Sequence, residues 1–348
     1  MARSHQIEVQ RPLAPVEGSG GYFRSLVAKP PAVSSGSQPR VVPRLLAALV
    51  TVLGAVGVHM MWEFFVNTAV GQRIDRAAFE GAAAFEQGRL WQVAEPVLNV
   101  VSYALVIGGA VVAVLIAVLR RRVLLAIQMF VLVGAANLTT QLVKYWYPRP
   151  SLSPGWAGYS NSLPSGHTTV AASVSAAMLL AAPRRWRPLV AVLGAGWTIV
   201  MGLSTMVGRW HRPADVVAAV FVVVAWAAVI CAITSARTLD RPDGEASDEF
   251  RLGYPGGSHR LFNPAAAVGV VPRASWLVAS FLALLGGICT LIWIFVIFRL
   301  LDANPDMSSY YVTAYGGGAA GVVGVTLLCF AMLLVLRQAT GAPAPPPS

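Results

Sequence analysis

Residues 215–235 read DVVAAVFVVVAWAAVICAITS. One acid opens the stretch and no other charge follows within it. A run this long spans a hydrocarbon core of about 30 Å as a helix. A helix lying on water would need a polar face, which this one lacks. Seven more apolar blocks recur along the chain, at roughly 45–65, 93–119, 122–143, 167–183, 188–207, 275–298 and 316–336. The fourth in chain order, 167–183, is short, so its start is expected to lie below the membrane surface. Of the 348 residues, 56% are hydrophobic and 12% charged. Soluble domains run at about 45–50% and about 25%. The composition therefore excludes a soluble globular domain, and equally a mainly disordered chain. The expected fold class is all-α, a polytopic membrane helix bundle.

Working outward, residues 1–44 are rich in Pro, Ser and Gly and read as a disordered cytoplasmic tail. No signal peptide is visible, because the first long apolar run begins only at Leu45. Residues 45–236 form a six-span core, 237–274 a polar cytoplasmic linker, and 275–337 a two-span C-terminal extension. Residues 338–348 form a second disordered tail. The three cysteines, Cys231, Cys289 and Cys329, lie inside apolar blocks without paired spacing, so they suggest neither a metal knuckle nor a disulfide framework.

The formal net charge is +11. The basic residues sit mostly in the gaps between apolar blocks, so membrane topology accounts for them and no nucleic-acid partner is expected. Arg120–Arg122 and Arg184, Arg185 and Arg187 fall in short loops on one side. The residues of one set of gaps far outnumber those of the other. By the positive-inside rule both termini face the cytoplasm, and segments 144–166 and 208–214 face outside together.

Three polar clusters share that outer face. Lys144 and Arg149-Pro150 lie where the third span ends. Pro164-Ser165-Gly166-His167 opens the fourth. Ser204 and His211 through Asp215 join the fifth to the sixth. Taken singly, each has a bland reading: snorkelling to headgroups, a helix cap, a satisfied polar residue. Together they suggest an anion site at membrane ends. Lys144 and Arg149 supply fixed positive charge suited to phosphate oxygens. Ser165-Gly166-His167 at a helix start offers backbone N–H groups and the favourable end of the helix dipole. His167 over the same anion could protonate a leaving oxygen. His211 lies four residues before Asp215, with Pro213 between them. That spacing lets the carboxylate hold one imidazole nitrogen while the other attacks phosphorus.

The order and spacing of these clusters resemble the three signature motifs of the type 2 phosphatidic acid phosphatase family, in the lipid phosphate phosphatase and vanadium haloperoxidase superfamily. The family pattern is K-x6-R-P, P-S-G-H and S-R-x5-H-x3-D on a six-helix core. The resemblance covers roughly residues 45–236. It implies a metal-independent lipid phosphate phosphatase with no cofactor, acting on a membrane lipid phosphate. Lys144, Arg149, Ser165 and Gly166 would bind phosphate. His167 would be the general acid, His211 would form a phosphohistidine, and Asp215 would orient it. Resemblance and architecture together imply a bacterial cytoplasmic membrane.

Two departures stand out. Four residues separate Lys144 from Arg149, where the family has six. Either the loop is shortened, or Arg149 sits beside the usual position with Ser151 at it. Thr205 stands where the third motif carries a phosphate-binding Arg, and Arg209 or Arg212, flanking His211, are the candidate replacements. Two other readings stay open: a transferase that passes the phosphoryl or head group to an acceptor other than water, and a non-catalytic lipid-phosphate-binding relative. The retained His167, His211 and Asp215 favour the enzyme, since binding alone needs no nucleophile relay.

Overall fold

The computed structural model describes residues 41–85, 91–92, 94–96, 123–152, 161–233, 271–303 and 308–340. Among these residues the regular structure is helical. In chain order the helices are α1 (Val41–Phe65), α2 (Ala69–Gly81), α3 (Val123–Trp146), α4 (Gly166–Ala181), α5 (Arg187–Val207), α6 (Pro213–Ile233), α7 (Arg273–Leu301) and α8 (Ser308–Thr340). A short 3-10 turn, Ala82–Phe85, follows α2. Helices α1, α3, α5, α6, α7 and α8 are long and apolar enough to cross a membrane. The chain is thus an all-α polytopic bundle, as its composition demands. Most of the expected second span at 93–119, the tails before residue 41 and after residue 340, and most of the 237–274 linker lie outside the described residues.

The short α4 has 16 residues, or about 24 Å of rise. That falls short of a hydrocarbon core of about 30 Å, so one end of α4 is recessed. Its interior is nearly free of bulk: Ala171, Ala172, Ser173, Ser175 and Ala176 are all buried. Small residues let neighbouring helices come close. Thr140 of α3 and Thr169 of α4 meet hydroxyl to hydroxyl at 2.9 Å. Such a bond replaces water that the bilayer cannot supply.

At the far end of α4 the chain gathers buried polar groups. Arg337 Nε donates to Leu180 O at 2.9 Å and Arg187 Nε to Ala182 O at 3.1 Å. Both guanidinium groups therefore cap the negative end of the α4 dipole. Gln338 receives Arg187 at 3.0 Å and donates to Ser275 Oγ at 2.8 Å, tying α5, α7 and α8 together.

The two C-terminal spans are packed into the bundle. α8 lies along α7 and also contacts α2, α5 and α6. Its small residues allow this. A Cβ at Gly318 would collide with the ring of Pro213, one at Gly317 with Val296, and one at Gly321 with Trp293. Gly316, by contrast, faces open space. Pro213 is the first residue of α6, so α8 buttresses the helix that carries Asp215.

Helix α2 has no counterpart among the expected spans. It has 13 residues and carries Arg73, Asp75, Arg76 and Glu80, so it is not a membrane crossing. Thr68 caps it, accepting from Gly71 N at 2.9 Å and donating to Phe64 O at 2.7 Å. Gly71 is required at this corner, because a Cβ there would strike the carbonyl of Phe64. Gly71, Gln72, Ile74, Asp75, Ala77, Ala78 and Gly81 are buried.

Candidate active site

The end of α3, the start of α4, the end of α5 and the start of α6 meet at one end of the bundle, opposite the Arg187–Gln338–Arg337 cluster. Ser165 ties the start of α4 to α6: its N–H donates to Asp215 O at 2.8 Å. Its hydroxyl accepts from Thr168 N at 3.3 Å, an N-cap that leaves the first turn of α4 facing the cleft. A Cβ at Gly166 would meet only Lys144 Nζ, at 4.0 Å. The ammonium of α3 therefore sits against the positive end of α4. Two like-signed features so placed favour an anion between them.

His211 is held from two directions. Its backbone N–H and that of Trp210 both donate to Thr205 O, at 3.2 and 2.9 Å. Its Nδ1 lies 3.2 Å from Asp215 Oδ2. The same oxygen accepts Ser162 Oγ at 2.8 Å and Arg212 N at 3.1 Å. Asp215 is fully buried, and a carboxylate so placed is sustained by such donors. With Nδ1–H given to the carboxylate, Nε2 keeps its lone pair. The ring of His167 faces His211 at 6.2 Å between centroids, with 61° between planes. The two expected histidines are thus neighbours at one end of the bundle. Trp210, 47% exposed, borders His167 at 5.1 Å between ring centroids.

Arg149 follows α3 in a loop pinned from three sides. Trp62 Nε1 of α1 donates to Pro148 O at 3.0 Å, Gln72 Nε2 of α2 to Pro150 O at 2.7 Å, and Asn161 Nδ2 to Tyr147 O at 3.0 Å. Burial pushes the Arg149 guanidinium down, and the nearby Arg212 charge adds to that; Asp75 and Asp215 pull it back up. Arg149 therefore shares one electrostatic neighbourhood with Arg212, Asp75 and Asp215. Ser151, the alternative at the usual Arg position, is exposed.

The two candidate replacement arginines differ sharply. Arg209 has a left-handed backbone, φ 54°. Its guanidinium donates to Glu80 Oε2 of α2 at 2.8 Å and lies over the Phe79 ring. Arg212 is 6% exposed, and its Nη1 donates to Ser162 Oγ at 2.7 Å, in contact with the group that holds Asp215. Thr205, in place of the motif's Arg, is buried and bonds Gly202 O at 2.7 Å.

Four contributors lie outside the sequence motifs: Ser162, Gln72, Phe79 and Asp75. Asp75 is 1% exposed, and its Oδ1 accepts Ala214 N in the first turn of α6 at 3.3 Å. A Thr cap followed by small and apolar residues at helical spacing was the available signal for α2. Among the described residues no group of three or more His, Cys, Asp and Glu is placed to hold a metal ion.

No curated protein and no solved structure matches the chain. Residues 124–239 match the family model of the PAP2 superfamily. That stretch runs from the start of α3 past the end of α6, so it takes in every one of the signature clusters. Together with the bundle of long apolar helices, it shows an integral membrane protein that carries a PAP2 superfamily region over residues 124–239.

Proposed function

We propose that the protein is a lipid phosphate phosphatase that works through a phosphohistidine on His211. The observation that carries this reading is the pairing of His211 with buried Asp215, opposite His167, beside the Lys144 ammonium at the start of α4. A tetrahedral phosphoryl group fits between two rings so spaced, about 3 Å from an attacking nitrogen.

In this mechanism His211 Nε2 attacks phosphorus and forms a P–N bond. The bond from phosphorus to the lipid oxygen breaks, and His167 gives that oxygen a proton. Water then attacks the phosphohistidine. His167 takes the proton of the water, the P–N bond breaks and inorganic phosphate leaves. Asp215 holds His211 in the attacking tautomer and offsets its positive charge. Lys144, Arg149, the Gly166 amide and the Ser165 hydroxyl stabilise the equatorial oxygens. The substrate is an amphiphile with a terminal phosphate or diphosphate, such as phosphatidic acid, phosphatidylglycerol phosphate or polyprenyl diphosphate. Tyr145 and Trp146, 83% and 67% exposed beside the site, suit the headgroup layer. The bias of Lys and Arg toward the other side supports a site facing outside and termini in the cytoplasm.

The test is a quench in alkaline denaturant of the purified chain during turnover of a lipid phosphate labelled at phosphorus. An acid-labile, base-stable label on His211 is expected. Lipid hydrolysis without label on any histidine, under conditions that preserve phosphohistidine, rejects the mechanism. Phosphoryl transfer to an added alcohol in preference to water would identify the transferase instead.

Arg212 supplies the charge missing at Thr205. Arg212→Ala is expected to lower kcat/KM by about 10–100-fold. Arg209→Asn, which tolerates the left-handed backbone, is expected to stay within about threefold of the parent. Steady-state kinetics on a lipid phosphate check both, and equal losses would refute the assignment.

A further inference from the structure

Helix α2 presents one face to the catalytic loops. Gln72 fixes the carbonyl of Pro150, next to Arg149. Phe79 lies under Arg212, with Cζ 5.5 Å from the ring centroid. Between them, at helical spacing, stands Asp75. It is 1% exposed, and its Oδ1 accepts one long hydrogen bond, from Ala214 N at 3.3 Å. Its second oxygen, Oδ2, is buried with no hydrogen-bond partner. A buried acid so sparingly bonded is costly unless opposite charge lies near it. Asp215, the other acid nearby, is already committed to His211, Ser162 and the Arg212 amide.

We propose that Asp75 is a positioning residue of the phosphate site, holding the guanidinium groups of Arg149 and Arg212 in register for the anion without touching it. This rests on the phosphatase reading for what the anion is. Both guanidinium charges act on the Asp75 carboxyl. Gln72 and Phe79 constrain the same two arginine segments from the same helix face, so α2 acts as a template for the cations.

Burial, with the Asp215 charge adding to it, raises the Asp75 carboxyl to about 7; Arg212, Arg149 and the Ala214 amide pull the other way. The charged groups facing it are Arg149 and Arg212 from the loops and Asp215 from α6. α8, packed along α2, brings the phenols Tyr310 and Tyr315, and Glu63 near the end of α1 is exposed. Asp75 is ionised above about pH 7, and its hold on the arginines is present there and lost as pH falls through that value.

The test is sulfate binding to the purified full chain by calorimetry, at about pH 6 and about pH 8. Sulfate keeps its charge across this range, and the parent-to-variant ratio cancels pH effects common to both proteins. Asp75→Asn is expected to bind within about twofold of the parent at the lower pH and about tenfold more weakly at the higher. In turnover its KM rises while kcat stays within about threefold. A ratio that does not change with pH, or tighter binding by Asp75→Asn at pH 8, overturns the proposal. So does a loss confined to kcat. If the amide variant does not fold, Asp75→Glu takes its place. That variant keeps the charge but displaces it, so sulfate binding about threefold weaker or worse at pH 8 is expected; parent affinity there overturns the proposal. Sulfate binding needs no turnover. A chain that hydrolyses no lipid phosphate would sink the phosphatase reading and leave this measurement standing.

Discussion

His211→Ala removes phosphate release, with kcat expected to fall by about 10⁴-fold or more. The loss is this large because the proposed chemistry has no other route. Water attacking directly would need a base on the side of phosphorus opposite the leaving oxygen. In this site that position belongs to the His211 ring, held by Asp215 at 3.2 Å and by the Thr205 carbonyl through its backbone. Truncation leaves a gap where the nucleophile stood and leaves Asp215 without its imidazole partner. The cationic wall stays in place, since Lys144 lies against Gly166 and Arg149 sits in a separately pinned loop. Sulfate affinity should therefore fall only a few-fold, about the loss of one hydrogen bond. That separation of binding from turnover is the informative part. A variant still turning over within about tenfold of the parent would remove His211 from the nucleophile role. A variant that loses sulfate binding and turnover together would report misfolding, which the thermal unfolding of the same preparation distinguishes.

Much of this site was legible as a string. Lys144, the Ser165-Gly166-His167 turn and the His211–Asp215 spacing each sit where an apolar run meets a polar one, and hydrophobic blocks mark such positions clearly. The link between His211 and Asp215 spans four residues, so spacing alone carries it. What a single sequence does not carry is contact across long separations. Asp75 meets Ala214 only because α1 turns back through Gly71 and lays α2 under the loops, 139 residues away along the chain. Read in one dimension, Gln72 and Asp75 are ordinary polar residues in a connecting segment. The same limit applies to Arg209 and Arg212. They flank His211 on either side and look equivalent, yet the left-handed backbone at Arg209 sends one to Glu80, while Arg212 turns inward to Ser162. The C-terminal pair looked like an appendage because a polar linker precedes it. In the folded chain the Gly318–Pro213 approach brings α8 against the start of α6. Backbone approach at glycines is a property of pairs of helices, invisible in either one alone.

His167 is expected to show a loss that depends on the leaving group. His167→Asn should lower kcat on an alkyl lipid phosphate by about 10²–10⁴-fold, the range of a general acid. The lipid alkoxide is a poor leaving group and needs the proton as the bond to phosphorus breaks. An aryl phosphate with an acidic phenol does not, so the same variant should phosphorylate His211 from it at a rate within about tenfold of the parent. The second half of the cycle still requires a base to activate water. His167 is the group placed for that, 6.2 Å from His211 between ring centroids and beside the half-exposed Trp210. The variant should therefore release one phenol per enzyme in a rapid burst and then stall as phosphohistidine. Stopped-flow absorbance of the phenolate reads both phases. Equal losses on the alkyl and aryl substrates, with no burst, would mean that His167 only binds the anion. A burst followed by undiminished turnover would assign the proton of the water to a different base.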